Sequence, residues 1–491
     1  MLDRIGRRLP SSLALFLIAL TAIGVVLAFI KGLQDPDYFW HLATGELIAT
    51  RGLPTVDPFS FTYGGPWTLH EWLGQLAIHG LVASIGPIWT LALFALLPPA
   101  TLAVLAGAMA RRQVPLLAIV VATMLCAAVL IPYITIRPQV ISWFLLAVLI
   151  ALLMELRPTR TWPLLAVPPL FVLWANVHGV YVIGLGVMGL FTAFTLLGWT
   201  ELRERRWVVG AAGIGAVLAS AVTPAGLEGL LYPLRYVDAG DWGLANIPEW
   251  QSPNFHDLVQ LPLLVLIIGL AVFGGSAAPG WLRTIAYLSV VGALLANRNA
   301  PLAAVATLPA LAFGFARMLP RPGDAADPAR RVVEAGAVVL IVIGAVAAQP
   351  STTGAAGVTL TRYPSAAVDL IRADPQVRVV AEYGWAGYLI GELADEGLRV
   401  FVDGRNDMYP DHVLDAYSAI RSADTGWSAI VDEYDVDLLL FPPDAPIARG
   451  PALLDGWCEV YRDDRQVLLA RDCQVRSHRS DARGDASPTS T

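Results

Sequence analysis

Eleven apolar stretches constrain this 491-residue chain more than any other feature. The first, residues 13–30, is an unbroken run of 18 apolar or small side chains behind Arg4, Arg7 and Arg8. It is longer than a signal-peptide core and no small-residue cleavage site follows it, so it reads as a retained span. The others are residues 88–110, 115–135, 140–156, 162–176, 180–199, 207–222, 258–274, 281–296, 300–318 and 332–348. Lipid cannot satisfy backbone N–H and C=O groups, so such runs cross it as helices, each needing about 20 residues. The runs at 162–176 and 281–296 fall short of that length. The expectation is a polytopic α-helical membrane protein with about 11 transmembrane helices. Composition agrees: 15% of residues are charged and mean hydropathy is +0.59, where a soluble domain carries about 25% charged residues.

The arginines supply an orientation, because cytoplasmic loops retain excess positive charge. An inside N-terminus puts Arg4, Arg7, Arg8, Arg111, Arg112, Arg157, Arg160, Arg203, Arg205, Arg206, Arg283, Arg317, Arg321, Arg330 and Arg331 on the cytoplasmic side. Only Lys31, Arg51, Arg137, Arg235 and Arg298 fall opposite. Fifteen against five sets the expected topology in an inner (cytoplasmic) membrane, and an odd number of spans exports everything after Pro350. Residues 1–349 hold 20 Lys+Arg and 17 Asp+Glu, net +3, and residues 350–491 hold 13 and 23, net −10, summing to −7. No basic patch for nucleic acid is present. Of three cysteines, Cys126 lies in an apolar run and reads as packing. Cys458 and Cys473 flank the last hairpin in an oxidising compartment, although hairpin register does not set them directly opposite, so a bridge stays open.

The expected domains are a membrane module over residues 1–349 with a long exported first loop at 34–85, an exported α/β domain at 350–475, and a disordered tail at 476–491. The loop holds DPDYFWHLATGELI, DPFSFTY and WTLHEWLGQLAIHGL. Phe39, Leu42, Leu47 and Ile48 suit an amphipathic helix on the membrane surface, with Tyr38, Trp40, Trp67 and Trp72 in the interfacial belt. Residues 57–63 read as extended. In the C-terminal domain, strands are expected at 377–382, 399–402, 437–441, 458–462 and 466–471, and helices at 385–393, 412–421 and 427–434.

Chemistry has few candidates. Asp35 and Asp37 can serve as a general base and a cation ligand, or Asp37 can simply cap a helix. His70 and Glu71 cluster in sequence with these and with His41, although Glu71 in a first helical turn is favourable whatever its role. Arg137, Arg235 and Arg298 are exported guanidiniums suited to a lipid phosphate, and also to snorkelling span ends. His178 sits in a Gly-containing break. Asp403, Arg405 and Asp407 follow a strand, where open α/β sheets bind ligands and where Asp and Gly also make tight turns. The spans hold almost no ionisable residue at mid-depth, unlike an ion-coupled transporter. No P-loop, no GxGxxG after a strand, no CxxC and no HExxH occurs.

With these residues in view, the chain resembles the GT-C superfamily of polytopic glycosyltransferases, particularly bacterial proteins similar to protein mannosyltransferases. The resemblance is carried by DPDYFWHLATGELI, DPFSFTY with HEW, RPQ at Arg137, NVHG at His178, EWQSP at Glu249 and NRN at Arg298, spread over residues 30 to 300. It implies inverting transfer of a sugar from a polyprenyl-phosphate donor to a glycan, lipid or protein acceptor at the outer face. It implies Asp35 or Asp37 as base, a choice the sequence leaves open; with Asp35, nearest the span end, in that role, Asp37 orients the hydroxyl or binds a divalent cation (Mg or Mn). Arg298, Arg137 and His178 would neutralise the donor phosphate, with His41, His70 and Glu71 also substrate-binding. Glu249, Asp403, Arg405 and Asp407 are acceptor-side candidates. The first motif is DPD rather than the adjacent acidic pair typical of protein mannosyltransferases, which bears on sugar and acceptor. Two other readings compete: a scaffold protein whose exported domain binds glycan or a partner, and a lipid or polysaccharide transporter.

Overall fold

The computed structural model describes residues 11–232, 241–275, 278–319, 336, 363–405, 408–450 and 456–471. Its helices, in chain order, are α1 (Ser11–Lys31), α2 (Asp37–Arg51), α3 (Trp72–Arg111), α4 (Leu116–Leu130), α5 (Pro138–Glu155), α6 (Val167–Val177), α7 (Tyr181–Leu196), α8 (Arg206–Ser220), α9 (Gly226–Leu231), α10 (Asp241–Asn246), α11 (Leu261–Phe273), α12 (Gly280–Leu295), α13 (Ala300–Ala316), α14 (Ser365–Ile371), α15 (Tyr383–Leu393), α16 (Asp411–Ser422) and α17 (Trp427–Glu433). The strands are β1 (Arg378–Ala381), β2 (Arg399–Val400), β3 (Leu438–Phe441), β4 (Cys458–Arg462) and β5 (Val467–Ala470). Ten of the eleven apolar stretches coincide with helices, and the last, 332–348, lies outside the described residues except for Gly336. Among the described residues, five helical segments are long and apolar enough to cross a membrane. Four more, Trp162–Val177, Tyr181–Leu196, Leu258–Phe273 and Gly280–Leu295, are apolar but shorter.

The chain divides into two compact units. The first takes residues 11–33, 70–232 and most of 244–319, and is all helical. Its centre is α13, where Ala300, Ala303, Ala304, Ala310 and Ala312 are fully buried. Small side chains let membrane helices approach closely where lipid offers no hydrophobic driving force. Gly314 meets the backbone of Phe273 so closely that a Cβ would not fit. On the outside, Trp89, Leu165, Ile214, Leu218, Leu288 and Leu295 are exposed, a surface that suits lipid and would be a liability in water. The 40-residue α3 bends at Gly86, whose φ of 81° is left-handed. Pro87 follows it and disfavours helical backbone in the residue before it.

The second unit is α/β and contains residues 34–69, 242–243 and 363–471. Its sheet has the order β2-β1-β3-β5-β4, with β1 parallel to β2 and β3, and β5 antiparallel to β3 and β4. The strand and helix expectations agree within one or two residues. Residues 59–61 continue the sheet beyond β2: Val400 N–H donates to Phe59 O at 2.9 Å and Phe61 N–H to Val400 O at 3.2 Å, closing an edge that would otherwise be open to pairing. Cys458 is disulfide-bonded although its register partner is Ala470, and Cys473 lies outside the described residues.

One sequence expectation changes here. The apolar face of α2 is covered by protein of its own unit. Phe39 packs edge-on against Tyr363 and Tyr388, with ring centroids 4.8 and 4.9 Å away. Gly387 and Gly391 of α15 make room for it: a Cβ at Gly387 would lie 2.5 Å from Pro36 O, and one at Gly391 2.9 Å from Phe39 Cβ. Tyr38, Trp40 and Trp67 are likewise buried rather than set in an interfacial belt. The period-3.6 pattern identified an amphipathic helix correctly and left open what would cover its apolar side.

Candidate active site

In the second unit, the two aspartates meet the loop that follows β2. Asp35 Oδ1 accepts the backbone N–H of Asp37 at 3.0 Å; Asp37 is the first residue of α2 and Pro36 stands at its N-cap, so Asp37 does not take the capping role expected of it. Gly404 lies so close to Asp37 Oδ1 that a Cβ there would overlap it, and that Cβ would come within 3.2 Å of Trp40 Nε1. The DPD and DGR motifs, more than 360 positions apart, thus share one place. His41 is buried, with its ring 3.7 Å from that of Trp40.

Asp403 and Arg405 are committed to holding this unit together. Arg405 donates Nε–H to Asp403 Oδ1 at 2.8 Å, an Nη2 proton to Asp403 Oδ2 at 2.5 Å and an Nη1 proton to Asp57 Oδ1 at 2.6 Å. Its guanidinium lies over Phe59 and Trp67, 5.1 and 4.8 Å from their centroids. Tyr409 Oη–H donates to Asp403 Oδ2 at 2.8 Å. Burial alone would push Asp403 up, but the Arg405 charge and these hydrogen bonds outweigh it and hold the carboxyl below its ordinary range. Burial likewise opposes the Arg405 charge, and the carboxylates of Asp403 and Asp57 raise it well above the ordinary value. Asp403 and Arg405 are at most 2% exposed, which leaves an acceptor little to touch. Asp407 lies outside the described residues, as does Arg235.

In the first unit, motifs scattered through the sequence converge in two clusters. The first joins RPQ, EWQSP and NRN. Arg137, at the N-terminal end of α5, places Nη1 3.3 Å from both Glu249 carboxylate oxygens. The next residue, Trp250, lies under the Arg298 guanidinium at 4.7 Å. Asn297 N–H donates to Gln251 O at 2.9 Å, and Tyr133 Oη–H donates to Asn297 Oδ1 at 2.8 Å. Two arginines are therefore held within one framework, one by a carboxylate and one by an aromatic face.

HEW and NVHG build the second cluster. Glu71 Oε1 stands 3.2 Å from His178 Nε2 and 3.5 Å from His70 Nε2. The His70 ring stacks on Tyr232 with centroids 4.5 Å apart. Trp72 Nε1–H donates to Asn176 Oδ1 at 2.7 Å, and Asn176 Nδ2 donates to Val172 O and Val222 O. Gly74 permits the approach of three chain segments, since a Cβ there would lie 2.8 Å from Val177 O and 2.9 Å from Pro138 Cβ. Behind His178, Ser142 and Trp174 complete the cluster. Neither was singled out from the sequence, although Trp174 and His178 are four residues apart, the spacing that puts neighbours on one helix face.

The expected site residues thus separate: Asp35, Asp37, His41, Asp403 and Arg405 belong to the second unit, and His70, Glu71, Arg137, His178, Glu249 and Arg298 to the first. Among the described residues, no three His, Cys, Asp or Glu side chains are disposed to hold a metal ion. No step is routed through a cation.

No family model and no curated protein matches the sequence. Solved structures do. The oligosaccharyltransferase of Archaeoglobus fulgidus, tethered to an acceptor peptide containing the NVT sequon, superposes with a TM-score of 0.62 at 13% identity, covering 94% of this chain and 74% of its own. ArnT from Cupriavidus metallidurans bound to undecaprenyl phosphate gives 0.53 at 14% identity, covering 93% and 98%, and its apo state gives 0.56 at 13%. At this identity the likeness concerns architecture, and it covers nearly the whole chain: this protein shares the fold of the oligosaccharyltransferase and of ArnT.

Proposed function

We propose that the protein is an inverting glycosyltransferase that moves a sugar from a polyprenyl-phosphate donor to a glycan, lipid or protein acceptor at the outer face of the cytoplasmic membrane. The observation that carries this reading is the near end-to-end fold likeness to a glycosyltransferase bound to undecaprenyl phosphate. Asp35 serves as base for the acceptor hydroxyl, and Asp37 orients that hydroxyl. As the bond between sugar carbon and phosphate oxygen breaks, negative charge grows on the leaving lipid phosphate. Arg298 and Arg137 stabilise it, an electrostatic role of the oxyanion-hole type. Glu249 fits a role as resident partner of Arg137, replaced by the phosphate when donor binds. An apolar groove of about 590 Å³, lined by Leu73, Pro169, Val172, Leu173 and Val222, also includes Trp72 and Asn176, neighbours in sequence of Glu71 and His178. Its chemistry suits a prenyl chain.

The direct test follows release of polyprenyl phosphate from labelled donors by the purified protein. Arg298→Ala is expected to lower kcat/KM by about 10- to 100-fold, corresponding to one charge-assisted contact of about 1.5–3 kcal/mol. Unchanged kcat/KM would remove Arg298 from the phosphate site. Gly404→Ala is expected to displace Asp37 and lower kcat by about 100-fold, the scale of a 1 Å misplacement. Full activity with an intact fold would separate Asp37 from the chemistry.

A further inference from the structure

The hydrogen bonds around His178 fix where its proton sits. Hydrogens on histidine are assigned from their surroundings, and here three neighbours decide. Val180 N–H donates to Nδ1 at 3.3 Å, which requires a lone pair on that nitrogen. Ser142 Oγ stands 3.1 Å from the same Nδ1 and accepts Trp174 Nε1–H at 2.9 Å. With Oγ already receiving one proton and Nδ1 presenting a lone pair, the serine hydroxyl directs its own proton to Nδ1. The ring proton then belongs on Nε2, 3.2 Å from Glu71 Oε1. A carboxylate oxygen is the partner that an Nε2–H would choose, so the whole chain of donors runs one way, from Trp174 through Ser142 and His178 to Glu71. Both His178 and Glu71 are buried, at 6% and 8% exposure.

We propose that Trp174, Ser142 and the Val180 backbone are positioning groups that hold His178 as the neutral Nε2–H tautomer, and that His178 thereby keeps Glu71 as an ionised, oriented carboxylate. This rests on the glycosyl-transfer reading and revises one part of it. His178 supplies no positive charge to the donor phosphate, a task that falls to the arginines. Glu71 accepts a hydrogen bond from a sugar or acceptor hydroxyl, and as a carboxylate it has no proton to donate.

Two measurements on the full chain test this. In protein labelled with nitrogen-15 histidine, held in detergent micelles at pH 7, the His178 signals are identified by their loss in His178→Gln. The expected spectrum shows a bare Nδ1 and a protonated Nε2; a protonated Nδ1, alone or together with Nε2, overturns the proposal. Separately, Ser142→Ala is expected to lower kcat by about 10- to 100-fold, the scale known for outer partners that orient metal-ligating histidines. The donor KM should stay constant, and Ser142→Thr, which keeps the hydroxyl, should recover most of the rate. An unchanged kcat in a folded Ser142→Ala protein overturns the positioning role while leaving the glycosyltransferase standing. If the wild type moves no sugar, the glycosyl-transfer reading falls, and the nitrogen spectrum alone supports or overturns the tautomer.

Discussion

Arg405→Met is expected to destabilise the second unit by about 3–5 kcal/mol, the cost of leaving a buried charge without its partner. Two buried carboxylates, Asp57 and Asp403, bond this one guanidinium, and its removal leaves them facing each other without a cation. The residues they anchor, Phe59 and Trp67, lose the cation above their rings at the same time. Hydrogen exchange of β1 and β3 in the full-length protein reads the effect: their amides should lose about 10²- to 10⁴-fold of protection, consistent with such a free-energy change. Protection equal to wild type would show that the triad adds nothing to stability. Acid provides an independent check. Asp403 is held below its ordinary pKa, so its contribution is complete above the unfolded-state value of about 3.9 and is lost as pH falls through the folded-state value. The second unit should therefore loosen below about pH 4, and Asp403→Asn should weaken that dependence.

The second large effect concerns the carboxylates of the DPD motif. Asn keeps the side-chain oxygen with which residue 35 accepts the Asp37 N–H ahead of α2. Asn at 37 is nearly isosteric beside Gly404. The double substitution Asp35→Asn with Asp37→Asn thus leaves the helix start intact and removes only the basicity. General base catalysis contributes about 10²- to 10⁴-fold, and a loss of that size is expected in kcat with the protein still folded.

How much of this was legible in the sequence follows from the range of each interaction. The apolar runs are local and lipid enforces them, so ten of them could be placed from residue type alone. The strands and helices after Pro350 are also local patterns. What the sequence could not convey is that residues 34–69 belong with that α/β unit, because the bonds that join them are distant: Asp57 and Arg405 are 348 positions apart. A buried aspartate in DPFSFTY has the same local signature as a solvated turn. The convergence of Arg137 with Glu249 and of Arg298 with Trp250 was hidden for the same reason, although each motif had been marked. Asp35 and Asp37 stand together in the sequence, but the turn through Pro36 that brings the Asp37 N–H onto Asp35 Oδ1 is a property of the folded backbone.

Glycosyl transfer from a lipid-linked donor can be read in a single incubation. Purified wild-type protein and the Asp35→Asn, Asp37→Asn variant are incubated with a panel of polyprenyl-phosphate sugars, divalent cation and an acceptor extract, and donor consumption is followed. The wild type is expected to consume at least one donor and release polyprenyl phosphate while the folded variant does not. Consumption by neither protein would contradict the enzyme and favour a scaffold; equal consumption by both would contradict the role given to the two aspartates.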